Sequence, residues 1–349
     1  MLFPPAATIP RMKRLLFTLV LLFALPASAQ EAEPPTPASV VAAAAPEEWV
    51  AIAPEDLLVM DLAPDAQGRA RRVVIQLMPP PFSQPWVANV RTLARAHWWD
   101  GTQVYRVVDN WVAQWGAGED GGEAGFAEHP LPEGVVSPLS SYDATITVPQ
   151  RDAMIARSPT ASRGGREAYA AKHYFNQGWA AATSLTQHTP ICVNNAETGE
   201  CTPLRPEEYD DMAWPLHCYA SVGVARDLAP DTGTGAELYA VIGHAPRQLD
   251  RNIAVIGRVI EGIEHLSTLP RGTAEAGVYA TRAEDTPIVS VRLGSELPDA
   301  PRFEYMGTDS ASFARYVAVR ANRNDAFYTV PAGGVDVCNV QVPIRRAAQ

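Results

Sequence analysis

Residues 99–116 read WDGTQVYRVVDNWVAQWG, and their pattern is that of a β-hairpin entered from a helix. Branched and aromatic residues dominate Gln103–Val108 and Trp111–Trp115, as is typical of β-strands. Asp109-Asn110 between these runs supplies residue types that tolerate the backbone of a tight turn. Asp100-Gly101 is a stop signal for the helix that precedes the hairpin. We therefore predict two antiparallel strands here.

The segments on both sides continue a β pattern. Upstream, the turn-forming stretch Ala63–Gly68 separates two runs of branched residues, and Ser83 and Pro85 are suited to cap and open a helix. The further predicted strands are Leu57–Leu62, Arg72–Met78, Cys218–Ala225, Glu237–Ile242, Ile253–Val259 and Thr286–Leu293. A second short helix is predicted over Ile260–Leu269, ending before Pro270. Many short strands with two helices favour a closed or sandwiched β architecture.

A second motif lies near the other end of this pattern. Gly235–Ile242 reads GAELYAVI and continues through Leu249–Asn252 to Val255–Gly262. Together with residues 99–116, it resembles the paired motifs of the cyclophilin-type peptidyl-prolyl isomerases. Those motifs are Tyr-Asp-Gly-Thr-x-Phe-His-Arg-Val-Ile-x-x-Phe-x-x-Gln-Gly-Gly, and Gly-Ser-Gln-Phe-Phe-Ile followed by Leu-Asp-Gly. Their order and internal spacing agree with this chain.

The resemblance implies a mainly β fold, an eight-stranded antiparallel barrel capped by two helices with the substrate groove on its outer face. The implied cyclophilin-like domain spans residues 49–297. Residues 117–217 then form a long inserted loop region, and residues 298–349 form a C-terminal extension. Within the insertion, Arg166–Ala182 is a candidate helix.

The activity implied by the resemblance is rotation about Xaa-Pro peptide bonds. Such rotation is slow because it breaks the resonance of the C–N bond, a barrier of ~18–20 kcal/mol. A protein lowers this barrier without a covalent step if it stabilises the twisted amide more than the planar one. That requires an apolar pocket for the proline ring, a cation or donor near the proline nitrogen, and donors for the turning carbonyl. No cofactor or metal is needed for this chemistry.

The resemblance also assigns site residues. Arg106 matches the catalytic arginine of the family, and Gln114 matches the glutamine that orients the peptide. The implied substrate-binding residues are Trp111, Val112, Ala225, Glu237, Tyr239, Leu249 and Ile253.

Two of these residues depart from the family pattern. Glu237 replaces a glutamine, so an acceptor-only carboxylate that can pair with Arg106 takes the place of an amide. Ile253 replaces a common histidine. These departures keep an alternative open, namely a catalytically weak or inactive cyclophilin-like module that binds Pro-containing segments or a partner protein.

The N-terminus predicts export. A basic stretch over residues 11–14 precedes the apolar run Leu15–Leu25, and Ala27-Ser28-Ala29 offers the small residues of a cleavage site. We predict a cleaved signal peptide over residues 1–29 and a disordered Pro/Ala-rich lead-in over residues 30–48. The mature chain is expected in the periplasm without a membrane span, and an uncleaved anchor is the alternative.

The charge of the chain bears on its partners. The formal net charge of −11 becomes −14 once the three cations of residues 1–29 are removed. So acidic a surface repels phosphate backbones, which excludes nucleic acid as a partner. The expected partners are Pro-containing unfolded or exported polypeptides.

The four cysteines are expected to form disulfides in an oxidising compartment. Three connectivities exist, and we prefer Cys192 with Cys201 and Cys218 with Cys338, because the first pair flanks a polar stretch that resembles a tight loop. A zinc site built on His217 and Cys218 is the competing interpretation, although the sequence has no paired ligand spacing to support it.

Overall fold

The computed structural model describes residues 33–118, 129–147, 149–150, 171–184, 192–194, 201–203 and 211–347. Residues from Pro35 onward form one compact unit. The strands of the described residues are β1 Trp49–Ala51, β2 Leu57–Leu62, β3 Arg71–Leu77, β4 Gln103–Val107, β5 Val112–Gly116, β6 Ala144–Ile146, β7 Ala171–Asn176, β8 Trp179–Ser184, β9 Cys192–Asn194, β10 Cys201–Pro203, β11 Asp211–Pro215, β12 Ser221–Val224, β13 Leu238–Val241, β14 Val255–Glu261, β15 Thr286–Leu293, β16 Phe303–Met306 and β17 Ile344–Arg346. The α-helices described are α1 Pro37–Ala42, α2 Gln84–Arg95, α3 Glu264–Ser267 and α4 Ala311–Ala321.

Eight of these strands close into an antiparallel barrel in the order β12-β13-β5-β4-β15-β2-β3-β14. This confirms the predicted architecture, and Leu57–Leu62 and Thr286–Leu293 form strands with the predicted bounds. Every second residue of a barrel strand faces inward, so branched and aromatic side chains fill the interior. The buried interior residues include Met60, Ile75, Val104, Val222 and Val291. Their burial removes apolar surface from water, which is the main stabilising contribution to such a barrel.

The helix α2 packs on the barrel through Trp86, Val90 and Leu93, which lie in the same buried cluster. It begins where the sequence predicts, but Ser83 does not cap it. Ser83 has a left-handed backbone (φ 54°), and its hydroxyl has no hydrogen-bond partner among the described residues. The start of the helix therefore depends on packing rather than on that side chain.

The second predicted helix, Ile260–Leu269, is largely wrong. β14 continues to Glu261, and Gly262 follows with a φ of +83°. A Cβ at Gly262 would come 2.0 Å from the carbonyl oxygen of Arg72, so this backbone needs glycine. Only the single turn of α3 remains before Pro270.

The described part of the insertion is a β structure. β6, β11, β8 and β7 form a four-stranded antiparallel sheet, and β9 pairs with β10. The predicted helix Arg166–Ala182 is wrong from residue 171 onward. Tyr174 and Ala181 pack into the barrel core, whereas Phe175 and Ala182 pack into a second hydrophobic core. Since successive residues face opposite sides, a strand and not a helix satisfies both cores.

The second core joins the two ends of the described chain. β1 pairs with β16, which pairs with β17, and α1 contacts α4. The prediction of a disordered lead-in over residues 30–48 is wrong for this helix. Thr36 accepts a hydrogen bond from the amide of Ser39, and Val40 is buried in the cluster that contains Phe313 and Tyr316.

The predicted disulfide between Cys218 and Cys338 is formed, and it ties the C-terminal extension to the segment before β12. The side chains of the other predicted pair, Cys192 and Cys201, lie outside the described part of the chain, as does the predicted signal peptide. No helix within the described residues has the length and apolar character that crossing a bilayer requires.

Candidate active site

The hairpin of β4 and β5 places Arg106 directly opposite Gln114. The register shifts between Val104 and Arg106, as at a β-bulge, which re-aims side chains locally. Val107 beyond the bulge points into the barrel core, whereas Arg106 and Gln114 are only half-buried. The structure thus brings together the two predicted catalytic residues on the outer face of the barrel.

A chain of hydrogen bonds runs from Arg106 to Glu237. Nη1 of Arg106 donates to Oε1 of Gln114 over 2.8 Å, and Nε2 of Gln114 donates to the hydroxyl of Tyr105. That hydroxyl donates to Oε2 of Glu237 over 2.8 Å. A Cβ at Gly116 would come 2.3 Å from the Glu237 carboxylate, so glycine makes room for this side chain. Both ends of the Gln114 amide are therefore occupied and its orientation is fixed.

The guanidinium of Arg106 has two further contacts. Its Nε donates to the carbonyl oxygen of Ala276 over 2.7 Å, and its central carbon lies 5.2 Å from the centroid of the Trp111 ring. Burial lowers the pKa of Arg106 from its ordinary value, yet a guanidinium stays protonated at physiological pH. The site accordingly holds a fixed cation whose shielding from water strengthens its field.

Eight side chains beside this cation form an apolar cluster, which we call the groove cluster. Its buried members are Val112, Tyr239 and Val241, and its partly exposed members are Val108, Trp111, Ala225, Leu249 and Ile253. All the predicted apolar substrate-binding residues belong to it. The partly exposed members offer hydrophobic surface to a ligand. The predicted residue Glu237 lies outside the cluster, one residue before β13, and ends the hydrogen-bond chain from Arg106.

Beneath the groove cluster lies a second polar network that the sequence did not predict. The hydroxyl of Tyr239 lies 3.0 Å from Nε2 of His217, and Nδ1 of His217 lies 3.0 Å from Oδ1 of Asp250. Nε of Arg247 donates to the other carboxylate oxygen of Asp250. His217 is fully buried. This network fixes the Tyr239 ring from below.

The protonation of this network follows from its partners. Burial raises the pKa of Tyr239, so its hydroxyl remains a donor to Nε2 of His217. Nδ1–H of His217 then donates to Asp250. Burial by itself raises the pKa of Asp250, but the hydrogen bond from His217 and the charge of Arg247 outweigh it, and the net pKa is lowered. Asp250 is therefore a carboxylate at neutral pH.

The alternative of a zinc site at His217 and Cys218 does not hold. Both ring nitrogens of His217 are used within the protein, and Cys218 is in a disulfide. Throughout the described ranges, no group of three His, Cys, Asp or Glu side chains is placed to hold a metal ion. The signal for the Tyr239 network was available in part, because a tyrosine in place of an apolar phenylalanine needs a partner for its hydroxyl when buried.

Comparison with known proteins finds a matching family. Residues 70–293 match the model of the family described as cyclophilin type peptidyl-prolyl cis-trans isomerase/CLD. The match begins just before β3 and ends at the last residue of β15, so it covers seven of the eight barrel strands and the insertion. No protein in the curated set matches the chain significantly.

Two solved structures are similar to the chain. The cyclophilin AquaCyp293 from Hirschia baltica superposes with a TM-score of 0.57 at 19% identity, covering 90% of this chain and 98% of that one. A cyclophilin type peptidyl-prolyl cis-trans isomerase of Cryptosporidium parvum, crystallised in the presence of the dipeptide Ala-Pro, has a TM-score of 0.32 at 11% identity, covering 67% of this chain and 98% of that one. The first likeness supports the fold, and the second is too distant to carry an argument.

Proposed function

The chain belongs to the family of cyclophilin-type peptidyl-prolyl cis-trans isomerases, and on that premise we propose that it catalyses rotation about Xaa-Pro bonds in exported polypeptides. The observation that carries the proposal is the position of the Arg106 guanidinium. It is held by Gln114 and by the carbonyl of Ala276, and it lies against Trp111 at the edge of the groove cluster. A fixed cation beside an apolar surface is what twisting a prolyl amide requires.

The groove cluster would receive the proline ring. Trp111, Leu249 and Ile253 are partly exposed members of this cluster, so a bound ring would bury apolar surface that otherwise contacts water. Burial of that kind contributes about 25 cal/mol per Å². It binds the planar and twisted forms alike, and so it positions the substrate without by itself lowering the barrier.

Arg106 would supply the selective stabilisation. As the amide twists, the proline nitrogen loses resonance and gains lone-pair density, and an N–H of the guanidinium can donate a hydrogen bond to that lone pair. Gln114 holds the guanidinium in place because its own amide is fixed at both ends. No proton is transferred and no covalent bond forms in this mechanism.

Export to the periplasm is the second part of the proposal. It is supported by the basic stretch, the apolar run and the small-residue site within residues 1–29. The Cys218–Cys338 disulfide agrees with an oxidising compartment. Substrates there would be newly exported chains whose Xaa-Pro bonds isomerise in tens to hundreds of seconds without help.

The function is tested by measuring cis-to-trans exchange in a short Xaa-Pro peptide by NMR, with and without the mature, oxidised chain. We expect acceleration, and Leu249→Ala should raise KM about tenfold because the groove cluster loses apolar contact. Leu228→Ala is the matched control, since Leu228 is 88% exposed and lies outside the groove cluster.

A second candidate function is a binding module without turnover. It is favoured by one observation, that the Arg106 side chain and the Gln114 amide are already bonded within the protein and that the chain of bonds ends on the Glu237 carboxylate. This function predicts that the peptide binds and that its exchange rate does not change. Loss of binding when proline in the peptide is replaced by alanine would show that the groove is selective.

A further inference from the structure

A cavity of about 940 Å³ lies between β14, the β7–β8 hairpin, α1 and the C-terminal segment that carries β17. It shares no residue with the groove cluster. Its volume lies at the upper end of the range of ~300–1,000 Å³ that is usual for small-molecule sites. We call it the Arg258 cavity after the one arginine of β14 in its wall.

Most of the cavity wall is apolar. Its hydrophobic side chains include Val41, Phe175, Leu216, Ile263, Val340 and Val342. These residues come from α1, the insertion, the segment before β12, the loop after β14 and the C-terminal segment. The wall is thus assembled from five separate parts of the chain. It can bury the apolar body of a ligand.

Arg258 is the exception in this wall. Its Nε and Nη2 donate to Oε1 of Gln76 over 3.1 and 2.9 Å, and its Nη1 donates to the carbonyl oxygen of Gly178 over 2.7 Å. Its guanidinium also lies 4.6 Å from the centroid of the Trp179 ring. These partners are all neutral, and Arg258 forms no ion pair with any residue that the structure describes. Burial lowers the pKa of Arg258 to about 10.

This arrangement leaves the Arg258 guanidinium without an anionic partner among the described residues. A guanidinium has five N–H donors, and three of them are used by Gln76 and Gly178. Two remain, which is the number that a carboxylate accepts in a bidentate pair. Arg258 is only partly exposed and its charge is poorly hydrated, so an anion there would gain more than one in an ordinary surface pair.

The other charged groups of the cavity wall limit how much negative charge the anion can carry. Glu261 is paired with Arg346, and Glu264 also lines the cavity. Arg320 at the wall donates to the carbonyl oxygen of Asn339 and lies over the Tyr316 ring. Because Glu261 is neutralised by Arg346, the remaining charges of the wall, on Arg258, Arg320 and Glu264, sum to +1 and match a singly charged anion better than a doubly charged phosphate. A single carboxylate neutralises Arg258 and adds only one negative charge to a wall that already contains Glu264.

We propose that the Arg258 cavity binds a monocarboxylate with an apolar chain, of the fatty-acid type, with its carboxylate on Arg258 and its chain along the apolar wall. This site is independent of the proposed isomerase activity, and binding there is measured without any turnover.

The test uses decanoate as the probe and the mature, oxidised chain. Isothermal titration calorimetry should detect saturable binding, and 1-decanol, which has the same chain without the charge, should bind about tenfold more weakly. Arg258→Gln should weaken decanoate about tenfold while leaving decanol binding unchanged. Acetate, which lacks the chain, should not bind measurably at the concentrations that saturate with decanoate.

A second pair of variants keeps the test valid if Arg258→Gln fails to fold. Val41→Trp should block the cavity and abolish decanoate binding, whereas Ala43→Trp should bind as the wild type does, because Ala43 is exposed on the same helix end and does not line the cavity. The proposal is overturned if folded wild type does not bind decanoate, if Val41→Trp binds it normally, or if acetate or decanol binds as tightly as decanoate.

Discussion

The hydroxyl of Tyr105 in β4 donates a hydrogen bond of 2.8 Å to the carboxylate of Glu237, the residue before β13, across the intervening strand β5. The same hydroxyl accepts a hydrogen bond from Gln114, which in turn accepts one from Arg106. A negative charge is thus connected to the proposed catalytic cation through two neutral side chains. The orientation of Arg106 and the field around it therefore depend on residues that need not touch a substrate.

Removing the Tyr105 hydroxyl should lower activity through Gln114. Tyr105→Phe deletes the acceptor of the Gln114 amide and the donor to Glu237, so Gln114, which accepts from Arg106, is no longer fixed in orientation. We expect kcat/KM to fall about tenfold, mostly in kcat, with a smaller effect on KM. The control is Tyr328→Phe, at a half-exposed tyrosine of the C-terminal extension. An unchanged kcat in Tyr105→Phe would show that this chain of bonds does not position Arg106.

Neutralising Glu237 should raise activity. Glu237→Gln keeps an oxygen that accepts from Tyr105 and removes the negative charge that reduces the positive potential at Arg106. The interaction between two unit charges separated by two side chains in a partly buried site contributes on the order of 1 kcal/mol, so kcat/KM should rise a few-fold. The peptide-exchange assay measures this directly, with the exposed Glu55→Gln as control. A fall in kcat/KM would mean that the carboxylate itself serves the substrate.

Acid should destabilise the protein partly through Asp250. Its pKa in the folded state lies below the ordinary value of ~3.9, so the unfolded state binds more protons near that pH. The stability that Asp250 contributes is complete above the unfolded pKa and is lost as the pH falls through the lower, folded one. Asp250→Asn should therefore be less stable at pH 6 and show a flatter decline in the urea midpoint between about pH 4 and 3. The exposed Asp227→Asn should follow the wild-type profile, and a parallel decline in Asp250→Asn would contradict this account.

Breaking the Cys218–Cys338 disulfide should lower stability. The two cysteines are 120 residues apart in the chain, and closing a loop of that length contributes about 4–5 kcal/mol in the chain-entropy estimate. The double variant Cys218→Ala/Cys338→Ala should thus unfold at a clearly lower urea concentration. Wild type treated with reductant is the comparison. If the double variant is as stable as the oxidised wild type, the C-terminal extension is held by its hydrophobic core alone.

The barrel was largely predictable because strand periodicity and the two motifs carry it. Residues 286–288 and 291–293 alternate in burial on either side of a register shift, as in a strand with a bulge, and the β4–β5 hairpin places Arg106 opposite Gln114. The local sequence pattern gave wrong predictions where contacts between distant parts of the chain determine the secondary structure. Six residues are too few for a stable isolated helix, and α1 forms because Val40 is buried against the C-terminal extension. The alanines of β8 favour a helix locally, and the two cores on either side hold them in a strand.

The site was predictable in its apolar part and less so in its polar part. Six of the eight members of the groove cluster were identified from the motifs, because residue type and order are enough to place them, whereas Val108 and Val241 were not. The partners of Tyr239 were not, since His217 is 22 residues away in the chain and Asp250 is 33 residues beyond His217. Hydrogen bonds between such positions depend on tertiary geometry to within a few tenths of an ångström. Tyr105 was missed for the same reason.

The central claim is that Arg106 stabilises the twisted amide, and one comparison tests it most directly. The exchange rate and the peptide Kd are measured for wild type, Arg106→Ala and the exposed control Arg69→Ala, all with the disulfide formed. We predict that Arg106→Ala loses about 10²-fold in kcat/KM, as is typical when one transition-state donor is removed, while the Kd changes by only a few-fold. Arg69→Ala should match wild type. Unchanged acceleration in folded Arg106→Ala would contradict the account and place the chemistry elsewhere on the barrel.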